Sequence, residues 1–296
     1  MTFLAPWIAR FERMAARHWQ AAEQSALGDW LLRASSGFTG RANSALPLGE
    51  PGVPLDEAVD AVRDWYRERG LPPMIQLPMM LNGEAADQPD NDPRGPGYPL
   101  DELLATRGWR VRPGPAVVMT ARSRAVADRA ASGNPPLTGG VPAGGVPAGG
   151  VPIGGAPTGG APMDAVRLAE EPDEQWLGRY RYRGAALPPS ARALLLSAPE
   201  QVFASVRRGD ETVAIGRLSL AGGWGGLTAI EVDPGCRRSG LGTAVTAALA
   251  GEAARRGAEQ TFLQVEEPNV AARALYRRCG FRDRHRYHYR VAPGCR

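Results

Sequence analysis

The sequence predicts an α/β protein of the α+β kind, a mixed central sheet flanked by helices, in two copies joined by a Gly/Pro-rich linker. Three observations carry this. After residue 163, short β-branched and apolar runs alternate with helical patterns, the order of a domain built on one sheet. One of those runs enters a glycine-rich loop and passes directly into a helix. Ahead of residue 133, a glycine-terminated helix followed by a short apolar strand repeats the order of the second half.

Length and composition agree with that class. At 296 residues the chain is about twice the size of a usual domain, which favours two units. Hydrophobic residues at 43% and charged residues at 22% exclude both wholesale disorder and a membrane bundle. The apolar run Leu241 to Ala250 soon meets Glu252 and falls short of the roughly 18 residues that a membrane span needs. No basic residue precedes the apolar patch in Met1 to Ile8, so no export signal is expected. Cys236, Cys279 and Cys295 form no CxxC pair, which speaks against a disulfide framework and a zinc site. A cytoplasmic protein without a bound metal is the expectation. The net charge of +4, in which every basic residue is arginine, implies a solvated surface rather than a nucleic-acid or membrane partner.

Each element has a local reason. In the first half, Leu55 to Arg69 reads as a helix ended by Gly70, and Met74 to Leu77 as a strand. Leu103 to Arg107 is a further helical stretch ended by Gly108, and Trp109 to Ala121 supplies two closing strands. From Gly139 to Met163 the chain is five copies of Gly-Gly-Val/Ala-Pro-Xaa, whose glycines and prolines prevent a packed core. The domain reading is therefore 1–132, linker 133–163, and 164–296, and cutting within the repeats is expected to leave two folded fragments. In the second half, Ala165 to Ala169 reads as a strand, and Asp173 to Tyr182 and Ser190 to Ser197 as helices. Gln201 to Val206 and Thr212 to Ala221 form a hairpin turning at Gly209-Asp210. Leu227 to Val232 is a strand, Leu241 to Arg256 a helix ended by Gly257, and Thr261 to Val265 a strand. Asn269 to Arg278 is a helix ended by Gly280, followed by closing strands around Phe281 and Tyr287 to Val291.

The segment that carries chemistry is Ile230-Glu-Val-Asp-Pro-Gly-Cys-Arg237-Arg-Ser-Gly240-Leu-Gly242-Thr243. A strand, an Arg-x-x-Gly-x-Gly loop and a helix follow one another. Consecutive backbone N–H groups at the positive end of a helix make a cradle for an anion, and the glycines admit close approach of a pyrophosphate. Arg237 and Arg238 add counter-charge. A dinucleotide fingerprint is excluded because Gly-x-Gly-x-x-Gly is missing, and a P-loop because Gly-Lys-Ser/Thr is missing. Downstream stands Asn269-x6-Tyr276-x3-Gly280-Phe281.

Together the two segments resemble the GCN5-related N-acetyltransferase superfamily over roughly residues 164 to 292. The resemblance implies acetyl-CoA as donor, with its pyrophosphate on the amides of Arg237, Arg238, Ser239, Gly240, Leu241, Gly242 and Thr243. It implies pairing of the strand Ile230 to Val232 with the pantetheine, a Val232 amide that polarises the thioester carbonyl, and Asn269 on the pantetheine side. Tyr276 would stand beside the sulfur, where a phenol can protonate the departing thiolate. Leu275 and Phe281 are assigned to the core.

A protonated amine cannot attack, so a base is needed. In the ribosomal-protein alanine acetyltransferase branch a glutamate stands at the position of Gln264, and an amide cannot act as a base. Glu231 is the first candidate and Glu266 the second. His285 and His288 are read as solvated. The acceptor is an amine, on a small molecule or a protein. A catalytically weak CoA-binding sensor is the alternative function. The first half resembles a degenerate copy: Gly49-Glu-Pro-Gly-Val-Pro54 replaces the phosphate loop, Gly97 replaces Asn269, and Leu104 replaces Tyr276. Its polar stretch Leu32 to Ser44, with Arg41 and Asn43, is read as satisfying a buried sheet end, with an acceptor pocket as the other reading.

Overall fold

The computed structural model describes residues 5–81, 98–133, 165–182 and 184–294. The first half contains α1 (Pro6–Ala16), β1 (Glu23–Leu27), β2 (Trp30–Ala34), β3 (Leu46–Pro47), α2 (Leu55–Glu68) and β4 (Met74–Met79). It continues through α3 (Tyr98–Thr106), β5 (Arg110–Val111), β6 (Ala116–Arg122) and α4 (Ser123–Gly133). The second half runs β7 (Arg167–Ala169), α5 (Glu174–Arg179), α6 (Ala191–Leu195), β8 (Glu200–Arg208), β9 (Glu211–Ala221) and β10 (Trp224–Val232). It ends with α7 (Leu241–Arg255), β11 (Gln260–Glu266), α8 (Val270–Arg278) and β12 (Arg282–Val291). The pentapeptide repeat and Gly97 lie outside the described residues.

Helix ends are set by local sequence, in matching pairs. α2 buries Ala58, Val59, Val62 and Tyr66, a single face at helical spacing. It stops where Leu71 N–H reaches back to Tyr66 O across Gly70 at φ +62°. α7 closes the same way, with Ala258 N–H on Ala253 O across Gly257, and α3 and α8 do so through Trp109 on Leu104 and Phe281 on Tyr276. A left-handed residue after the helix lets the next amide satisfy an orphan carbonyl, and glycine takes that conformation without a Cβ clash. The pairs α2/α7 and α3/α8 are those that the sequence laid over one another.

The sheet corrects the expectation of independent units. Its order is β4-β12-β6-β11-β10-β9-β8-β7, with β5 continuing beside β12. β6 of the first half lies between β11 and β12 of the second, antiparallel to both. β12 in turn lies antiparallel to β4 of the first half. Each half thus gives its closing strand to the other, and two halves share one sheet. The closing strand of the second half is a single run with an irregularity between Asp283 and His285, not two strands. The meander β1-β2-β3 stands as a separate small sheet, tied to β4 by Ala45 N–H on Met74 O and Gln76 N–H on Ala45 O.

Both faces of the shared strands are covered. On one face Val117, Met119 and Val126 join Leu227, Val245, Leu249, Leu263 and Phe281 in a core beneath α7 and α8. Ala127 of α4 faces Gly251 of α7 there. On the other face Phe11 and Ala15 of α1 pack on Val118, Phe262, Tyr287 and Tyr289. A Cβ on Gly216 of β9 would lie 2.6 Å from the Val245 side chain, so this glycine lets α7 settle onto the sheet.

Candidate active site

β10 and β11 run parallel and paired only from Trp224↔Gln260 to Leu227↔Leu263. β10 then breaks register between Thr228 and Glu231, with Ala229 at φ +52°, and returns to β9 at Glu231↔Ile215 and Val232↔Ala214. Both strands continue past their last mutual pair, so an opening forms between them. Ile230 and Val232, on the helix-covered side of this opening, pack against the core under α7.

The loop after β10 is held from within. Asp233 accepts from Gly235 N at 2.8 Å and is ion-paired with Arg179, and Ser239 Oγ donates to Cys236 O at 2.6 Å. Arg238 and Gly240 take the left-handed conformation, φ +66° and +85°. The first backbone bond of α7 is Ala244 N–H to Gly240 O, so the amides of Leu241, Gly242 and Thr243 precede the helical ladder. Arg237, Arg238 and Ser239 are exposed and Leu241 is buried. A Cβ on Gly242 would stand 2.9 Å from Leu275, which explains the second glycine of the motif by contact between α7 and α8.

Tyr276 is 9% exposed and meets Phe281 edge-on at 6.0 Å between ring centroids. Burial, and next the neighbouring Cys279, push its hydroxyl above the usual tyrosine range, so it stays protonated. Asn269 is the N-cap of α8: its side-chain oxygen accepts from Ala272 N at 3.1 Å. That oxygen has a structural role of its own, worth about 1 kcal/mol at a typical cap.

Glu231 is half-buried at the register break, and both its oxygens accept from Arg181 N at 3.1 Å. Burial raises its pKa, against the Arg181 amide and the charges of Arg181, Arg179 and Arg237. Glu266 and Gln264 project from the face of β11 opposite Leu263 and Val265. There they line a cavity of about 110 Å³ with Gly40, Arg41, Tyr182, Tyr287 and Tyr289. Asn43 fixes the loop that carries Arg41, accepting from Ser35 N and Gly37 N and donating to Phe38 O and Thr39 O. The polar stretch of the first half therefore both satisfies itself and reaches the cavity.

His285 is corrected from solvated to buried, with no exposed surface. Its Nε2 lies 2.6 Å from Glu12 of α1, and the Trp7 and Phe11 rings stand edge-on to it. His288 and Arg290 both hold Asp101 of α3. In the first half, Asp29 N–H donates to Glu50 O and Trp30 Nε1 to Gly49 O, and Leu104 is fully buried. The stretch replacing the phosphate loop is thus engaged with its own half.

The family model described as "Probable histone acetyltransferase Rv0428c C-terminal" matches residues 7–95 and 153–290, most of the chain. The protein belongs to the GCN5-related N-acetyltransferase superfamily. It is an acetyltransferase, similar to the uncharacterized N-acetyltransferase YobR of Bacillus subtilis, with 27% identity over 96% of this chain and 98% of that one. A GCN5-related N-acetyltransferase from Kribbella flavida superposes over 97% of this chain and 96% of that chain, at 16% identity and TM-score 0.59. A tandem acetyltransferase of the superfamily from the clavulanic acid biosynthesis pathway covers 80% of this chain and 69% of its own, at 15% identity and TM-score 0.52. At such identities these two structures show the fold, and the second shows it in tandem.

Proposed function

We propose that this acetyltransferase uses acetyl-CoA to acetylate an amine that reaches the β10–β11 opening from the sheet face opposite α7. The observation that carries the reading is the conjunction of that opening with the loop Arg237 to Thr243. The amides of Leu241, Gly242 and Thr243, which precede the helical ladder, and two arginines gather at the start of a 15-residue helix beside strands that have parted, while the Arg237 amide is turned to Pro234 O. Residues 164–296 hold the donor side. Residues 1–132 contribute β6 to the sheet and Arg41 to the acceptor wall, and residues 133–163 join the two.

When bound, acetyl-CoA supplies the thioester carbonyl carbon that the amine nitrogen attacks, forming the C–N bond as the C–S bond breaks. The amides of Arg237 to Thr243 hold its pyrophosphate, the strand Ile230 to Val232 lines its pantetheine arm, and Asn269 borders that arm while capping α8. Glu231 takes the proton from the acceptor, helped by burial that brings its pKa nearer neutrality. Tyr276, kept protonated by burial, returns a proton to the departing thiolate. The protein works in the cytoplasm in this reading.

The test is binding followed by turnover. Acetyl-CoA at a hundredfold excess over its dissociation constant should stabilise the protein by about 2.7 kcal/mol. Gly240→Val, which forces a β-branched residue to φ +85°, should remove most of that gain. Thiol release matched by N-acetyl product across an amine panel supports transfer. Binding without any release would mark a CoA sensor instead.

A further inference from the structure

Three guanidinium groups converge on the face of the sheet covered by α1. Arg33, Arg41 and Gln264 line one small cavity, and Arg217 is close enough to Arg41 that the two charges oppose each other. Among the described residues no carboxylate lies within ion-pair distance of any of the three, although the charge of Glu12, which lines the same cavity, favours the charged form of Arg33. The buried Glu12 is committed elsewhere, to His285 at 2.6 Å and Gln76 at 3.3 Å.

The three arginines differ in how their donors are used. Arg33 is held by Ser44 O, Ser44 Oγ and Gln76 Oε1 at 2.9 to 3.0 Å. Arg217 donates to Leu195 O at 2.6 Å and lies near His18 O at 3.4 Å. Arg41 has Gln264 Oε1 and, face-on, the Trp19 ring at 5.1 Å. A guanidinium carries five N–H donors in a planar fork, so Arg41 retains donors where it lines the 110 Å³ cavity. The other polar walls are the phenols of Tyr182, Tyr287 and Tyr289 and the carboxylate of Glu266, which is itself engaged, and burial keeps Tyr287 and Tyr289 protonated, Tyr287 up at about 12. Arginine and phenol donors around a partly desolvated space favour an anion, and a planar fork matches a carboxylate or phosphate in two-point contact.

We propose that the acceptor of this enzyme carries an anionic group, carboxylate or phosphate, besides its amine, and that Arg41 binds that group. This rests on the acetyl-transfer reading for the amine end alone. A cavity of about 110 Å³, well below the roughly 300–1,000 Å³ of drug-sized sites, has room for a small charged group. The first half, which has no phosphate loop, thereby serves to recognise the acceptor.

The experiment uses the full chain and matched pairs that differ in the anion: free amino acids against their carboxamides, and phosphoethanolamine against ethanolamine. Turnover is followed with acetyl-CoA, and equilibrium binding of the same compounds by calorimetry with CoA present. The acid of at least one pair should be preferred by about tenfold to a hundredfold, chiefly through KM. Which arm shows it separates carboxylate from phosphate. Arg41→Gln should erase the preference by lowering the acid's kcat/KM more than the neutral partner's, and Arg41→Lys should restore part of it. Wild-type protein that treats acid and neutral partners alike, in turnover and in binding, overturns the inference whatever happens to the variants. Anion-dependent, Arg41-dependent binding without turnover upholds it and removes the transfer reading.

Discussion

Cutting the chain within Gly139 to Met163 should not release two folded proteins. All seven residues of β6 pair with β11, from Ala116↔Glu266 to Arg122↔Gln260, and the same strand pairs with β12. Removing the first half strips those partners and takes Val117, Met119 and Val126, each at most 1% exposed, out of the core beneath α7. Each such side chain is worth about 1.5–3 kcal/mol on burial, and a domain's net stability is only about 5–15 kcal/mol. Three side chains alone therefore rival the margin, before the ladder bonds and the loss of β4 beside β12 are considered. A protein with a protease site placed in the repeats should remain a single particle after cleavage, by size exclusion with light scattering. Residues 164–296 expressed alone should show no cooperative unfolding and should associate through the bare edge of β11. Adding residues 1–138 should restore the transition. A monomeric 164–296 fragment that unfolds cooperatively would refute the reasoning.

Two further outcomes concern titrating groups. Glu231→Gln should lower kcat by about 10² to 10⁴ without weakening acetyl-CoA. It should also abolish the acid limb of kcat/KM, which burial places above the ordinary carboxylate range. A variant that keeps the limb would pass the role of base to Glu266. His18, buried beside Ser219 and Phe262, is lowered to about 4, first by desolvation and then by Arg217. Between about pH 6.5 and 4 the unfolded chain takes up a proton that the folded one refuses. Stability present above pH 6.5 is therefore lost as pH falls, at up to about 1.4 kcal/mol per unit. Urea unfolding at pH 7 and pH 5 should show that loss in the wild type and a smaller one in His18→Gln; an equal loss would assign the acid sensitivity elsewhere.

Elements in both halves were legible where their signals are local. The glycine ends of α2, α3, α7 and α8, and the strand–loop–helix at Val232 to Leu241, follow from a few adjacent residues. Strand exchange was not legible, since the apolar and aromatic residues that mark Tyr287 to Val291 as a strand do not name its neighbours. His285 shows the same limit. It sits in the polar run Arg282 to Arg290, whose composition suggests a solvated edge, yet β12 has strands on both sides and α1 on top. Its partner, Glu12, lies at the other end of the chain. Arg41 was visible only as part of a polar stretch, because the tyrosines that complete its cavity come from β12 and from the segment after α5. The phosphate-loop glycines were legible as a pattern, but the contact of Gly242 with Leu275 that explains one of them required the fold.

The most direct measurement of the central claim is single-turnover acetyl transfer by Tyr276→Phe with acetyl-CoA and an accepted amine. The ring still packs against Phe281 and the proton donor is gone. The account predicts unchanged acetyl-CoA affinity and a transfer rate lower by about 10² to 10⁴, while a wild-type single-turnover rate would contradict it and leave Tyr276 as packing alone.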